Sequence, residues 1–280
     1  MIHIRDLSFS YEGSAGRALQ GVSMEIPDGE FLGLIGSSGA GKSTLTYALN
    51  GIVPHHYRGD FYGEVRINGM DTLESRPDII ARQLGSVFQD IESQMTAPVV
   101  EDEILFGLEN FGVPRGEIET RIEEALGAAG IGELRNREIR SLSGGQKQKV
   151  VIAAVTALRP GIMVLDEPTG ELDPQSSRRV FEYLKLLNET YGVTIILVEQ
   201  KIMLLCEFAR TLAVMDRGRL ILRGNTAEVL QEAEVLERAG VNIPRVTTLG
   251  KALRERGLYR GRLPGDLREA EAMMRAIGYA

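Results

Sequence analysis

Several absences narrow the reading before any motif is considered. The 280-residue chain carries a single cysteine, Cys206, so no internal disulfide can form, and a reducing compartment is expected. No apolar run approaches the ~20 residues that a bilayer-spanning helix needs; the longest are Val150–Leu158 and Val193–Val198. The opening, MIHIRDLSFSYEG, places charges where a secretion signal requires an apolar stretch. Excess positive charge is also missing: the formal net charge of −7 argues against nucleic acid as a bulk electrostatic partner. What remains is ordinary for a globular protein, and the length allows one sizeable core, or one core plus a small appendage.

Against that plain background one stretch stands out, Gly36–Thr44, GSSGAGKST. It fits G-x-x-x-x-G-K-[ST] without mismatch, follows the apolar run Phe31–Ile35 and opens a helix expected over Lys42–Asn50. Gly36, Gly39 and Gly41, with Ser37, Ser38 and Ala40 between them, let backbone N–H groups curl around a phosphate chain. The helix N-terminus adds partial positive charge. Lys42 is placed to reach the β- and γ-phosphates, while Ser43 offers a hydroxyl to Mg²⁺. A nucleotide and Mg²⁺ are therefore the expected ligands.

Alternation over residues 2–11 predicts a strand, and Ala18–Pro27 and Glu64–Ile67 predict two more. The middle of the chain turns helical: Pro98–Asn110, then Arg115–Ala129 with Ile118, Ile122, Ala125 and Ala129 on one face. Ser143 reads as the N-cap of a helix running to Leu158, and Asp173-Pro174 as the start of another with Val180, Leu184, Leu187 and Tyr191 on one face. Ile162–Leu165 and Val193–Val198 read as buried strands; Thr211–Asp216 and Arg219–Arg223 as a hairpin. Beyond about residue 240, Leu249–Gly257 and Pro264–Ile277 suggest two helices of an appended element. Its basic residues (Arg245, Lys251, Arg254, Arg256, Arg260 and Arg262) read as a solvated face or, less simply, as a surface for an anionic partner.

Two further strings carry chemistry. IMVLDE ends a buried strand in Asp166, suited to a Mg²⁺ shell, and Glu167, placed to orient or deprotonate a water attacking the γ-phosphate. LSGGQKQK, Leu142–Lys149, puts Ser143, Gly144, Gly145 and Gln146 at a helix start, a second phosphate-binding device in one chain.

With these strings together the sequence resembles the ATP-binding-cassette (ABC) ATPases over roughly residues 2–225. The resemblance implies an α/β fold: a P-loop NTPase core with an antiparallel β subdomain, a helical subdomain at about 90–158, and a C-terminal helical extension over 241–280 beyond a cassette of 1–240. It also implies that two cassettes meet head to tail, the signature of one closing over the ATP on the P-loop of the other. Tyr11 matches the aromatic that stacks on adenine, unless it is a strand-end core tyrosine; Gln89 matches the glutamine that touches Mg²⁺ and the attacking water; Asp173 matches the D-loop.

One position departs. Gln200 stands where the family usually has histidine, and an amide can donate to the γ-phosphate but cannot carry charge. A lost transition-state donor typically costs about 10²–10³ in rate, so slow hydrolysis on this P-loop is expected.

FQDIESQ and VEDEILFGLEN, together with NGIVPHHYRG, are similar to the cobalt-type, or energy-coupling factor, branch. That implies a peripheral ATPase on the cytoplasmic face of the membrane. Its partners would be a second cassette, a transmembrane subunit and a separate substrate-binding membrane subunit. Met95, Leu105, Phe106 and Leu108 are candidates for a groove that holds a partner helix, or are simply core; His55 and His56 read as a surface loop before a metal site. Two other readings stay open: an ATP-gated module that hydrolyses weakly, and a soluble ABC ATPase not tied to transport. A chromosome-type ATPase is disfavoured, because only about a hundred residues, without sustained heptads, separate P-loop and signature.

Overall fold

A computed structural model describes residues 1–279. The chain opens with β1 (Ile2–Tyr11), β2 (Leu19–Ile26) and β3 (Phe31–Ile35), then α1 (Lys42–Leu49) and the short α2 (Ile52–His55). Next come β4 (Gly59–Ile67), β5 (Met70–Asp71), α3 (Pro77–Ile80) and β6 (Leu84–Val87). Three helices follow, α4 (Val100–Asn110), α5 (Arg115–Ala129) and α6 (Gly144–Ala157). The chain then runs β7 (Ile162–Asp166), α7 (Pro174–Tyr191), β8 (Thr194–Val198), α8 (Ile202–Phe208) and the hairpin β9 (Thr211–Asp216) and β10 (Arg219–Asn225). It closes with α9 (Thr226–Val229), α10 (Ala233–Arg238), α11 (Arg245–Glu255) and α12 (Leu267–Ala276).

These strands make two sheets, one ordered β2-β1-β4-β5 and antiparallel throughout, the other ordered β10-β9-β3-β8-β7-β6. In the second sheet β9, β3, β8, β7 and β6 are parallel, and β10 alone runs against its neighbour. Every residue of β3, β7 and β8 is buried, as a parallel sheet covered on both faces requires. Successive side chains serve opposite faces. Phe31, Ile35, Ile195 and Leu197 pack under α7 and α8 with Phe181 and Leu184, whereas Leu32, Leu34, Ile196 and Val198 face α1 and the antiparallel sheet with Leu45, Ile4 and Phe9. Burying a side chain such as Phe181 is worth about 1.5–3 kcal/mol.

A third cluster is almost wholly helical, with Val100, Ile104, Ile122, Leu126 and Val150 at its centre. Helix α6 serves two clusters: Val150 and Ala153 point into the helical one, Val151 and Ile152 into the sheet core. Its apolar residues therefore run all round, and its start is set by the capping box between Ser143 and Gln146. Helix α7 begins where expected, with the Asp173 carboxylate accepting from the Gln175 and Ser176 N–H groups, each at 3.0 Å, and ends at Gly192 with φ 68°.

Several expectations need correction. Strand β6 escapes the sequence pattern because LGSV is short and broken by Gly85 and Ser86; pairing with β7 makes it a strand. Strand β4 starts at Gly59, well before Glu64, because Phe61 and its neighbours pair with the end of β1. Tyr191 is 72% exposed, and Phe181 takes the core position instead. Leu108 is fully buried in the helical cluster, so it is core and not groove, while Phe106 remains 52% exposed. In the tail, Lys251 is tied to Glu237 at 2.6 Å and Arg254 to the Gly261 carbonyl, so these two are not simply solvated.

Candidate active site

Parallel topology brings the motifs together. Strands β3, β6, β7 and β8 point the same way, so Gly36, Gln89, Asp166 and Gln200 all emerge at one edge of the sheet, the carboxyl edge at which α/β folds bind ligands.

The phosphate loop can have no side chain at two of its glycines. Gly36 sits at φ 153° with its missing Cβ aimed at the Met215 carbonyl, and Gly41 at φ 98° would put a Cβ 2.5 Å from the Ala18 carbonyl. The loop is braced from behind, Gly218 N–H donating to the Ala40 carbonyl at 2.9 Å. Lys42 is 8% exposed, and its ammonium donates to the Gly36 and Ser37 carbonyls, each at 2.9 Å. Burial pushes its pKa down, opposed by the charges of Glu167 and Asp166. Tyr11 lies beside this helix start, its hydroxyl 3.0 Å from Thr44 Oγ1 and its ring edge-on to Phe9 at 4.9 Å. Ser38, Gly39 and Ala40 line a small cleft together with Arg217, Arg238 and Gly240.

Asp166 is buried, and that burial pushes its carboxyl pKa up; the Ser43 hydroxyl opposes the shift, Glu167 reinforces it, Lys42 opposes it and Glu199 reinforces it. Among the described residues no group of three His, Cys, Asp or Glu converges on one point. The hydroxyl–carboxylate pair of Ser43 and Asp166 is a donor set of the kind Mg²⁺ takes, which uses one or two carboxylates with phosphate and water oxygens. Glu167 has φ 52°, and its N–H donates to the Val198 carbonyl at 2.9 Å. Its Oε1 accepts from Gln200 Nε2 at 2.7 Å. Gln89 is exposed two residues past the end of β6. The strand end that carries it is held by Gln94, whose side chain accepts from Phe88 N–H at 3.1 Å and donates to the Ser86 carbonyl at 2.7 Å, in the manner of an extra strand.

The second phosphate-binding device lies elsewhere. Ser143, Gly144, Gly145 and Gln146 line a cavity of about 420 Å³ with Glu171 and Asp173, and the P-loop forms none of its walls. Within one chain the two strings do not share a cavity.

Sequence reasoning missed the flanks of Gln200. Glu199, 4% exposed, accepts from the Thr169 hydroxyl and, at 2.7 Å, from the Gln200 N–H. Lys201 Nζ donates to the Thr169 and Leu172 carbonyls at 2.6 and 2.9 Å and to the Ser177 hydroxyl at 2.7 Å. A carboxylate closing an otherwise apolar strand was the available signal. Tyr47 and Tyr57 were also missed; with Tyr11 and Phe88 they make an aromatic chain from β1 to the segment bearing Gln89.

The ABC transporter family profile matches residues 19–170. The chain is 37% identical to the energy-coupling factor transporter ATP-binding protein EcfA1 of Caldanaerobacter subterraneus, covering 99% of this chain and 98% of that one. Among solved structures it resembles cbiO1 of Clostridium perfringens, part of the ABC transporter complex cbiONQ, with TM-score 0.73 and 32% identity over 89% of this chain and 97% of that one. A dimeric bacterial ABC transporter cassette superposes with TM-score 0.73 and 27% identity over 81% of this chain and 99% of its own.

Proposed function

The chain is an ATPase of the ABC transporter family, in its energy-coupling factor branch, and from that premise we propose that it powers a membrane importer as one of two cassettes paired head to tail. The observation that carries this is the separation of its two half-sites: Gly36–Thr44 at the sheet edge, Ser143–Gln146 with Asp173 around another cavity. A second cassette, identical or different, supplies to each what the other lacks. Residues 1–240 form the ATP-binding unit, with the helical part at about 90–158, and 241–280 form an extension at its end.

In the paired state Tyr11 stacks on the base. The N–H groups of Gly36–Thr44, with Lys42, hold the β- and γ-phosphates. Ser43, Asp166 and Gln89 are the residues that would hold Mg²⁺, which when bound neutralises charge between the β- and γ-phosphates. Glu167 takes a proton from the attacking water as the new O–P bond forms and the β–γ bridge breaks, leaving ADP and phosphate. Gln200 fixes the Glu167 carboxylate without adding charge, so this site turns over slowly.

The part-buried Met95 and Leu105 and the exposed Phe106 offer an apolar surface for a helix of a transmembrane subunit. Among the described residues no helix is long and apolar enough to cross a membrane. The transport role puts the chain at the cytoplasmic face, held by that subunit. A separate membrane protein would choose the substrate, a vitamin or a transition metal ion. The relative in the cbiONQ complex and the dimeric cassette support the pairing and the membrane partner.

The test is purification from the native source with the membrane subunits attached, followed by ATPase assay in lipid vesicles. Co-purification and ATP turnover that depends on those subunits are expected. A chain that purifies alone and hydrolyses ATP at the same rate without them contradicts the transport reading. The neutral Gln200 favours one alternative, an ATP-gated module, which predicts tight ATP binding with no cleavage in that assay.

A further inference from the structure

Three consecutive residues leave the end of β8, and each reaches a different point of one loop, Glu167–Asp173. Gln200 donates to Glu167 at 2.7 Å, Glu199 accepts from the Thr169 hydroxyl, and Lys201 Nζ donates to the Thr169 carbonyl, the Leu172 carbonyl and the Ser177 hydroxyl at 2.6, 2.9 and 2.7 Å. An ammonium has three N–H donors, and all three are spent on this loop and the first turn of α7. The loop has little freedom of its own: Gly170 N–H donates to the Glu167 carbonyl at 3.2 Å and Leu172 N–H to the Thr169 carbonyl at 3.0 Å, while the Leu172 side chain is buried in the sheet core. One end of the loop is the carboxylate beside the P-loop. The other is Glu171 and Asp173, which wall the cavity shared with Ser143–Gln146.

We propose that Lys201 is a positioning residue that transmits nucleotide occupancy from this chain's P-loop to its Glu171–Asp173 wall. A phosphate that repels the Glu167 carboxylate and draws the Gln200 amide away from it moves the end of β8, and Lys201 carries the displacement to Thr169, Leu172 and Ser177 in one step. The proposal rests on the reading of Ser143–Gln146 and Asp173 as the half-site offered to a second cassette.

The test is hydrogen–deuterium exchange over residues 169–177 of the full chain, with and without MgATP, in the native protein, Lys201→Met and Lys201→Arg. In the native chain ATP changes the protection of this segment. In Lys201→Met the segment exchanges about tenfold faster or more, as expected when hydrogen bonds from a charged donor are lost, and the ATP response disappears. Affinity for a fluorescent ATP analogue stays within about twofold of the native value, since the P-loop is untouched. Lys201→Arg, which keeps charge and donors, recovers part of the response. An ATP response that persists in Lys201→Met, or that is absent from the native chain, overturns the proposal. So does loss of analogue binding together with protection across the whole chain, which would make Lys201 a structural staple. Because the chain is measured alone, a failure to pair with a second cassette leaves this result standing.

Discussion

The Gln200 side-chain amide donates to Glu167 Oε1 across 2.7 Å, so the residue in the histidine position faces the carboxylate directly. It fixes where that carboxylate points, and, being neutral, it cannot share a proton or offset developing phosphate charge.

Replacing it should therefore work in both directions. Gln200→His is expected to raise ATP turnover of the intact complex by up to about 10²-fold, the range associated with one transition-state donor. Gln200→Ala, which frees Glu167, should lower it by about tenfold or more. Steady-state phosphate release checks both, and an unchanged rate in Gln200→His contradicts this role.

The glycines of the two phosphate-binding strings should fail differently. An alanine at Gly36 meets the Met215 backbone carbonyl, so Gly36→Ala is expected to cost about 1–3 kcal/mol of stability and to lose ATP binding. An alanine at Gly144 meets only the tip of the flexible Glu171 side chain. Gly144→Ala should keep its melting temperature and its own ATP affinity while slowing cleavage at the partner's site. Thermal melts and equilibrium ATP binding separate the two cases.

Acid sensitivity of the helical part should trace to Arg135. Its guanidinium donates to both Glu101 oxygens at 2.8 Å and to Glu119 at 2.7 and 2.9 Å, and those hydrogen bonds hold both carboxyls below their ordinary value of 4.5. A lowered folded-state pKa means the stabilisation is present above the unfolded value and is lost as pH falls through the folded one. Glu101→Gln should thus cost about 1 kcal/mol at pH 7. The difference from the native chain should close below pH 4.5, measured by urea melts across pH.

Much of this molecule is legible from its residues because the chemistry lies in contiguous strings. The P-loop, IMVLDE and LSGGQ each occupy a few successive positions; an unbroken apolar run marks β7 as a buried strand, and one interrupted only by Thr194 marks β8. What stayed hidden joins residues far apart in sequence. Strand β6 has too few apolar residues to signal itself and is made by its pairing with β7. The Lys201–Thr169 contact spans 32 positions and exists only because β7 and β8 are neighbours. Gln94 looks like one polar residue in a loop, yet it completes the edge of β6. Gln200 was legible as a departure, but its partner was not: the family position suggested the γ-phosphate, and the loop geometry gives Glu167.

Under the proposed function, ATP held on Gly36–Thr44 is cleaved with Glu167 as the base. Single-turnover cleavage of ATP by the complex, comparing the native chain with Glu167→Gln, tests it most directly. Cleavage is expected to fall by about 10²–10⁴-fold while ATP binding is retained. Cleavage at the native rate in Glu167→Gln contradicts it.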